Sequence, residues 1–337
     1  MKELREKLLA QLQGALLLDI AYIGVVNRLF EGMRQKGGIS AAELASDLRL
    51  DEAYIRRWCD AAFAFELLEQ VDADSFCLSE TGKLFLADTA NSMQPFAINA
   101  MLAAHMSERA AGLMRTGERP GEKVMAERDT ILPWFGPMLE QTFAPMLEKE
   151  IIAHVPAYAE VDAKGGLAID LGCGNGWYLR GLARRLPHVR GIGLDGFEEN
   201  IQQAQGRAGA QGLSDRLEFI VGDINKFSVA EEADLIAMNR ALHHVWHEKE
   251  NVFRFFSKHL KPDGVTIIWE PNWPQDRAVL RQVDKRGMAF QNLSEHVQGN
   301  HFLRPDEIAE QFRAVGMDTE VFLFANDREA VIVGRKG

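Results

Sequence analysis

Three cysteines in 337 residues, at 59, 77 and 173, are too few and too scattered for a disulfide framework or a Cys-x-x-Cys metal pair. A reducing compartment is expected. Basic residues are also short: the formal net charge is −11, and a nucleic-acid partner would need a Lys/Arg excess to neutralise phosphates. The N-terminus, Met1-Lys-Glu-Leu-Arg-Glu-Lys7, has no uncharged run behind a basic start, so no secretory signal is expected. The most apolar early stretch, Ala15 to Phe30, is broken by Asp19, Asn27 and Arg28, which argues against a membrane span and for a cytoplasmic protein. Internal repeats and low-complexity tracts are absent too. What remains is an ordinary globular composition, 47% hydrophobic, at a length that suggests two domains.

The chain is organised around Leu167-Ala-Ile-Asp170-Leu-Gly172-Cys173-Gly174-Asn-Gly176. An apolar run ends in a carboxylate, glycine follows at every second position, and Trp177 to Leu186 reads as a helix. This is a strand, a tight turn and a helix N-terminus. Glycine lets a ligand lie directly on the backbone, and the helix start offers unpaired N–H groups. A dinucleotide fingerprint would need a further glycine at position 177 for close helix–strand packing. That position is Trp177. Gly-x-Gly-x-Gly preceded by Asp170 instead resembles motif I of the class I S-adenosylmethionine (SAM) methyltransferases. The resemblance implies a loop that cradles an amino-acid moiety and a ribose rather than a phosphate.

Beyond residue 166 strands and helices alternate. Strands are expected at Leu167–Leu171, Gly191–Leu194, Leu217–Val221, Ala233–Met238, Val265–Glu270, Thr319–Phe324 and Ala330–Gly334. Helices are expected at Glu198–Gly209, Asn251–Leu260 and Arg304–Val315. The fold class is therefore α/β, an open, mostly parallel, doubly wound sheet. Its last two strands are joined by Ala325–Glu329 and can only pair antiparallel. That terminal hairpin also resembles the seven-stranded Rossmann-like sheet of the class I methyltransferases. Ligands in open α/β sheets sit beyond the carboxyl ends of the strands. The polar residues there are Asp195, suited to two ribose hydroxyls; Asp223, suited to the adenine amine with Ile224 over the ring; and Asn239, behind the glycine turn. With Asp170, Gly172, Cys173, Gly174, Gly176, Gly196 and Phe197 they make up the expected cofactor site, for SAM and its product S-adenosyl-L-homocysteine.

Residues 4 to about 35 carry apolar side chains at helical spacing, and Gly37-Gly38 ends that helix. Ser40 and Glu43 form a capping box that opens Ala41–Leu48. A third helix is expected from Asp51 through Leu68, then a hairpin around Asp72–Ser75 and one more turn at Thr81–Leu86. The pattern reads as an N-terminal, otherwise all-helical, winged-helix domain over 1–90. Its would-be groove-reading helix holds four acids against Arg56 and Arg57. The segment holds ten basic and fifteen acidic side chains, a net of −5, the opposite of a DNA footprint. A dimerisation or packing module is the expectation. Residues 91–160 are read as a helical linker with substrate-pocket helices, Met-rich and punctuated by Pro120-Gly121 and Pro133. Trp134, Phe135, Met138 and Phe143 are candidates to wall an acceptor pocket. Residues 161–337 form the expected SAM-binding domain.

After Asn239 the chain reads Arg240-Ala-Leu-His243-His244-Val245-Trp246-His247-Glu248. The run from His244 to Glu248 resembles the Leu-His-Asp-Trp-x-Asp-Glu stretch of the winged-helix small-molecule O-methyltransferases, dimeric enzymes that include plant caffeate and bacterial antibiotic O-methyltransferases. Ile39 to Ala45, Leu78 to Gly82 and Arg216 to Asp223 also resemble that family, so the likeness covers most of the chain outside about 90–160. It implies His244 as general base and Glu270 as the carboxylate that orients it. Two positions depart from the family: Val245 stands where it has an aspartate, and the second orienting glutamate has no counterpart near Leu303-Arg304. A catalytic base contributes roughly 10²–10⁴-fold, and a phenol of pKa about 10 needs one more than a thiol of about 8.5. His243 as base, a purely structural histidine pair, a small thiol or amine as acceptor, and a SAM-binding winged-helix regulator stay open alternatives. Asn239, in place of an aspartate, and the lack of a nearby acidic cluster argue against a Mg²⁺-dependent mechanism, and no metal is expected. Residues 271–303, with Trp273, Met288, Phe290, His296 and Phe302, form an insertion beside the site, read as a lid or as surface elaboration. The expected partners are a small-molecule acceptor and a second copy of the chain, with neither nucleic acid nor membrane.

Overall fold

The computed structural model describes residues 1–89, 91–128, 132–224, 226–227 and 231–336. They form two compact units, Met1–Glu108 with Met125–Gln141, and Arg109–Val124 with Thr142–Gly337. Segment 91–160 is thus divided between them.

In the first unit the expected single helix over 4–35 is two. Lys2–Val26 ends at Asn27, and Leu29–Met33 follows Arg28, whose φ is 59°. The left-handed residue turns the chain, so Phe30 packs back towards Gly24, where a Cβ would come within 2.3 Å of its ring. Phe30 sits edge-on to Trp58 and stacked on Phe85, centroids 5.5 and 5.4 Å away. The Trp58 indole N–H donates to the Ile20 carbonyl at 3.0 Å. The first half of Lys2–Val26 is exposed, Leu8 and Leu12 each by 56%. Taken whole, this helix is long and apolar enough to cross a membrane, a property the Ala15–Phe30 stretch did not reveal.

Ala41–Leu48 forms as expected, with the Ser40 hydroxyl accepting from the Glu43 N–H and the Glu43 carboxylate accepting from the Ser40 N–H. The next helix, Glu52–Ala64, is capped by Asp51 but stops short of Leu68, because Glu66 takes φ 57°. The strands β1 (Ile39–Ser40), β2 (Leu68–Gln70) and β3 (Ser75–Leu78) pair antiparallel in the order β1-β3-β2. This unit is therefore mostly helical but not all-helical. Trp134, Phe135 and Met138 pack on its core.

The second unit carries a seven-stranded sheet: β4 (Leu167–Leu171), β5 (Arg190–Asp195), β6 (Leu217–Val221), β7 (Ala233–Asn239), β8 (Leu260–Pro271), β9 (Met317–Phe324) and β10 (Glu329–Lys336). The order is β6-β5-β4-β7-β8-β10-β9. All neighbours up to β8 are parallel, and β10 is antiparallel to both β8 and β9. Every side chain of β4 and β7 is buried, as strands covered on both faces require. Ile236, Ile268 and Ile332 pack with Phe253, Phe256 and Phe312 in one core. β8 begins at Leu260, earlier than the expected Val265, with a register shift between Ala233 and Leu235 that takes up Lys261 to Gly264. The strand order reverses between β4 and β7, and there a parallel sheet opens a crevice at its carboxyl edge.

Candidate functional site

The turn after β4 is held by its own backbone. The N–H groups of Gly172 and Cys173 donate to the Leu194 carbonyl at 2.8 and 2.9 Å. Gly172, Gly174 and Gly176 take φ values of 76°, 52° and 75°, which only glycine adopts without strain. A Cβ at 176 would sit 2.6 Å from the Phe219 ring, and one at 172 would sit 2.8 Å from the Ala241 Cβ; at 174 it would meet nothing within 4 Å. Two glycines let neighbours close in, and the middle one leaves bare backbone facing open space.

Asp195, at the end of β5, accepts from the Gly174 N–H at 2.8 Å through one oxygen. The other oxygen accepts from the Phe197 N–H and the Asn200 amide, both at 3.0 Å. Gly222 donates its N–H to the Asp195 carbonyl at 2.9 Å, which seats Asp223 and the part-buried Ile224 just past β6. Gly196 is open above its Cα and Phe197 is half exposed. Asp170 is buried behind the turn and accepts from the Asn239 amide at 2.9 Å. Burial pushes its carboxyl up to about 7, Asn239 opposing and the charge of Asp195 adding. Burial likewise raises the Cys173 thiol, so this is a packed sulfur and not a reactive one. The Oδ1 of Asn239 is buried with no hydrogen-bond partner among the described residues.

The close approach of Gly172 to Ala241 joins this turn to the histidine segment, a short 3₁₀ helix over Leu242–Glu248. Glu270, fully buried on β8, caps it: one carboxylate oxygen accepts from the N–H of Leu242 at 2.8 Å and of His243 at 3.3 Å. An anion there satisfies donors that the helix start leaves unpaired. The other oxygen lies 2.7 Å from His243 Nδ1. The family resemblance implied Glu270 behind His244; the structure puts it behind His243, because capping the helix brings that ring, and not the next, over the carboxylate. Burial opposes ionisation of Glu270, yet His243 and Arg240 hold its carboxyl below the usual range.

His244 lies beside His243, the ring centroids 4.2 Å apart and the planes tilted by 37°, and stays partly exposed. Its Nδ1 lies 3.0 Å from Glu122 Oε1 and 2.8 Å from the Asn300 amide. Burial would lower this imidazole, but Glu122 and Glu295 together raise it. His243 Nε2 faces the Glu295 carboxylate at 3.7 Å. Glu295, on the helix Arg286–Gln298, is thus a second carboxylate beside the pair. His247 is exposed and stands apart. Phe143 packs edge-on to Trp269 at 5.5 Å and under the Arg240 guanidinium at 4.2 Å. Arg240, at φ 54°, pairs with buried Glu329 at 2.7 Å.

Glu122, Glu295, Asn300 and Arg240 are the residues that sequence reasoning missed. The first three come from loops and an insertion whose position no strand end dictates. Arg240 was visible only as the residue after a strand. The cluster also changes one premise: Glu122, Glu270 and Glu295 surround the pair, although no acidic cluster is apparent in the sequence.

Residues 168–264 match a family model described as a methyltransferase domain. A carboxy-S-adenosyl-L-methionine synthase from Wolinella succinogenes is 32% identical over 138 residues, which cover 40% of this chain and 56% of that protein. The chain thus spans about half the length of that curated relative. Among solved structures, an O-methyltransferase family protein from Burkholderia thailandensis superposes with a TM-score of 0.76 at 20% identity, over 100% of this chain and 98% of that one. An O-methyltransferase from neocarzinostatin biosynthesis, in complex with S-adenosyl-L-homocysteine and 1,4-dihydroxy-2-naphthoic acid, superposes with a TM-score of 0.67 at 17% identity, over 96% of each chain. Residues 168–264 thus match a methyltransferase domain, and the fold of the whole chain is that of these O-methyltransferase structures.

Proposed function

We propose that the chain transfers a methyl group from SAM to a hydroxyl oxygen of a small-molecule acceptor, whose proton is removed at the histidine pair. One observation carries this reading: the buried Glu270–His243 contact of 2.7 Å stands beside the glycine turn, joined to it by the packing of Gly172 on Ala241. The residues present fit SAM. The open backbone at Gly174 accommodates the amino-acid end, Asp195 can exchange its internal hydrogen bonds for ribose hydroxyls, and Asp223 with Ile224 can serve the adenine. Bound there, SAM supplies an electrophilic methyl on a sulfonium.

The chain's own work is placement and proton removal. Aligned bound reactants gain on the order of 7–11 kcal/mol, and a positioned base adds roughly 10²–10⁴-fold. Glu270 holds His243 in one orientation, with Nε2 directed at Glu295. His244, the base expected from the sequence, has Glu122 behind it and more exposure. The first unit serves as a winged-helix dimerisation module, a reading supported by its acidic balance and by the exposed leucines of Lys2–Val26.

Isothermal calorimetry of the purified chain should give heat for SAM and for S-adenosyl-L-homocysteine. With a phenolic acceptor panel, His243→Ala and His244→Ala should each lower kcat by about 100-fold or more, with SAM affinity preserved. No heat for either nucleoside, or activity within about threefold of wild type in both variants, would overturn the reading.

A further inference from the structure

We propose that His243, His244 and Glu295 form a binding site for a divalent first-row transition ion, zinc in the first instance. Each offers one ligand atom, and the three atoms lie within 4.8 Å of one another. Tetrahedral zinc with bonds of about 2.0–2.1 Å keeps its ligands roughly 3.3 Å apart. His243 Nε2 and Glu295 Oε2, 3.7 Å apart, need only a small adjustment to share an ion. Two imidazoles and one carboxylate are a nitrogen-rich set that suits zinc, iron or manganese, and not the all-oxygen shell that calcium or magnesium takes.

A second observation points the same way. Metal-ligating histidines usually hold a carboxylate on the ring nitrogen away from the metal. Glu270 does this to His243 at 2.7 Å, fixing Nδ1 and leaving Nε2 to face Glu295. Glu270 is itself anchored by two backbone N–H groups. The ligands come from two elements, the 3₁₀ helix after β7 and the helix of the 271–303 insertion, so an ion would also tie that insertion to the site. Glu122 and Asn300 line the His244 side.

Three protein ligands leave a position for the acceptor. The inference rests on the methyl-transfer reading for what fills it: the hydroxyl oxygen that is to be methylated. An ion there would lower the pKa of the bound hydroxyl, so that its O–H bond breaks and the proton leaves to solvent. The oxygen lone pair then forms the O–CH₃ bond while the C–S pair stays on sulfur. Proton removal at the histidine pair would then run through the ion that the two imidazoles hold.

The test uses the full chain, stripped with a chelator and titrated with Zn²⁺ and Co²⁺. Atomic emission should count a single ion per chain, and Co²⁺ should show d–d bands in the visible. Glu295→Gln and His244→Ala should weaken binding at least about tenfold, and Glu270→Gln by roughly 10–100-fold, circular dichroism confirming that each is folded. Equal uptake by wild type and Glu295→Gln, or no uptake by wild type at micromolar Zn²⁺, would overturn the site. SAM calorimetry on the stripped protein separates the two ideas. Heat for SAM without metal uptake rejects the ion alone, whereas metal uptake without heat for SAM rejects the methyl-transfer reading.

Discussion

At the scale of single residues, the site is built from groups that stability alone would not choose. Asp170 is a carboxyl with its ionisation pushed to about 7 by burial, its amide partner Asn239 only partly compensating. Its unfolded counterpart ionises near the ordinary 3.8. Between those two values the unfolded chain has lost the proton and the folded chain keeps it, so stability falls as pH rises across that window and levels off above it. Asp170→Asn should remove that slope and raise stability at pH 8 by on the order of a few kcal/mol, the two proteins converging below pH 4. Urea titrations from pH 4 to 8 without ligand would show it; parallel curves for the two would refute it. The glycines separate two demands in the same way. Gly176→Ala and Gly174→Ala both force alanine into a left-handed conformation, a cost of roughly 1–2 kcal/mol each. Only the first also collides with Phe219, at 2.6 Å. Gly174→Ala should therefore be the milder variant in thermal melts and yet weaken SAM binding at least about tenfold, because its methyl enters the ligand's space; unchanged SAM affinity would move the cofactor off this loop. Asp170, Asp195 and Asn239 were legible in the sequence because strand ends dictate where they stand. Glu122, Glu295 and Asn300 were not, since their places depend on how segments far apart in the chain fold over the sheet.

At the scale of elements, the sheet was readable to within a few residues because β4 to β7 are short, largely apolar runs, the first three each followed by glycine. The start of β8 was not, since a register shift lets Lys261 to Gly264 continue a strand that their composition marks as a turn. The first unit shows the other failure. Periodicity carried the Lys2–Val26 helix through Asn27-Arg28, and the Glu52–Ala64 helix through Glu66, because neither Arg28 nor Glu66 signals the left-handed backbone it adopts. Tertiary packing sets those breaks, Phe30 against Trp58 in one case and Leu67 and Leu68 in the core in the other. Where the signal was chemical and not periodic it held: Ser40 and Glu43 cap Ala41–Leu48 reciprocally. Ser40→Ala removes that acceptor and should destabilise the first unit by about 0.5–2 kcal/mol. Glu43→Gln, which keeps the reciprocal geometry, should cost less. Denaturant melts followed by Trp58 fluorescence would rank the two, and a larger loss for Glu43→Gln would place the stabilisation in charge and not in the cap.

At the scale of the whole molecule, the exposed leucines need a partner. Leu4, Leu8, Leu12 and Leu16 recur every fourth residue and so lie along one face of Lys2–Val26, with exposures of 55, 56, 56 and 43%. A contiguous apolar stripe of this kind marks an interaction surface. A bilayer and a second copy are the two candidates, because the helix is long and apolar enough for the first by composition. Charge decides between them. The stripe is flanked by Lys2, Glu3, Arg5, Glu6 and Lys7 in near balance, and the chain carries −11 overall. Neither feature draws it to an anionic leaflet, which attracts clustered basic residues, and the same deficit disfavours DNA. A second copy asks for no such excess, since two identical apolar stripes can bury each other about a twofold axis. Multi-angle light scattering at micromolar concentration should therefore report twice the chain mass of 37.7 kDa. Leu8→Glu with Leu12→Glu should return it to the monomer while leaving SAM calorimetry unchanged, because the cofactor residues belong to the other unit. A monomeric wild type that sediments with anionic vesicles would give the stripe to a membrane instead, and retardation of DNA in low salt would revive the regulator reading.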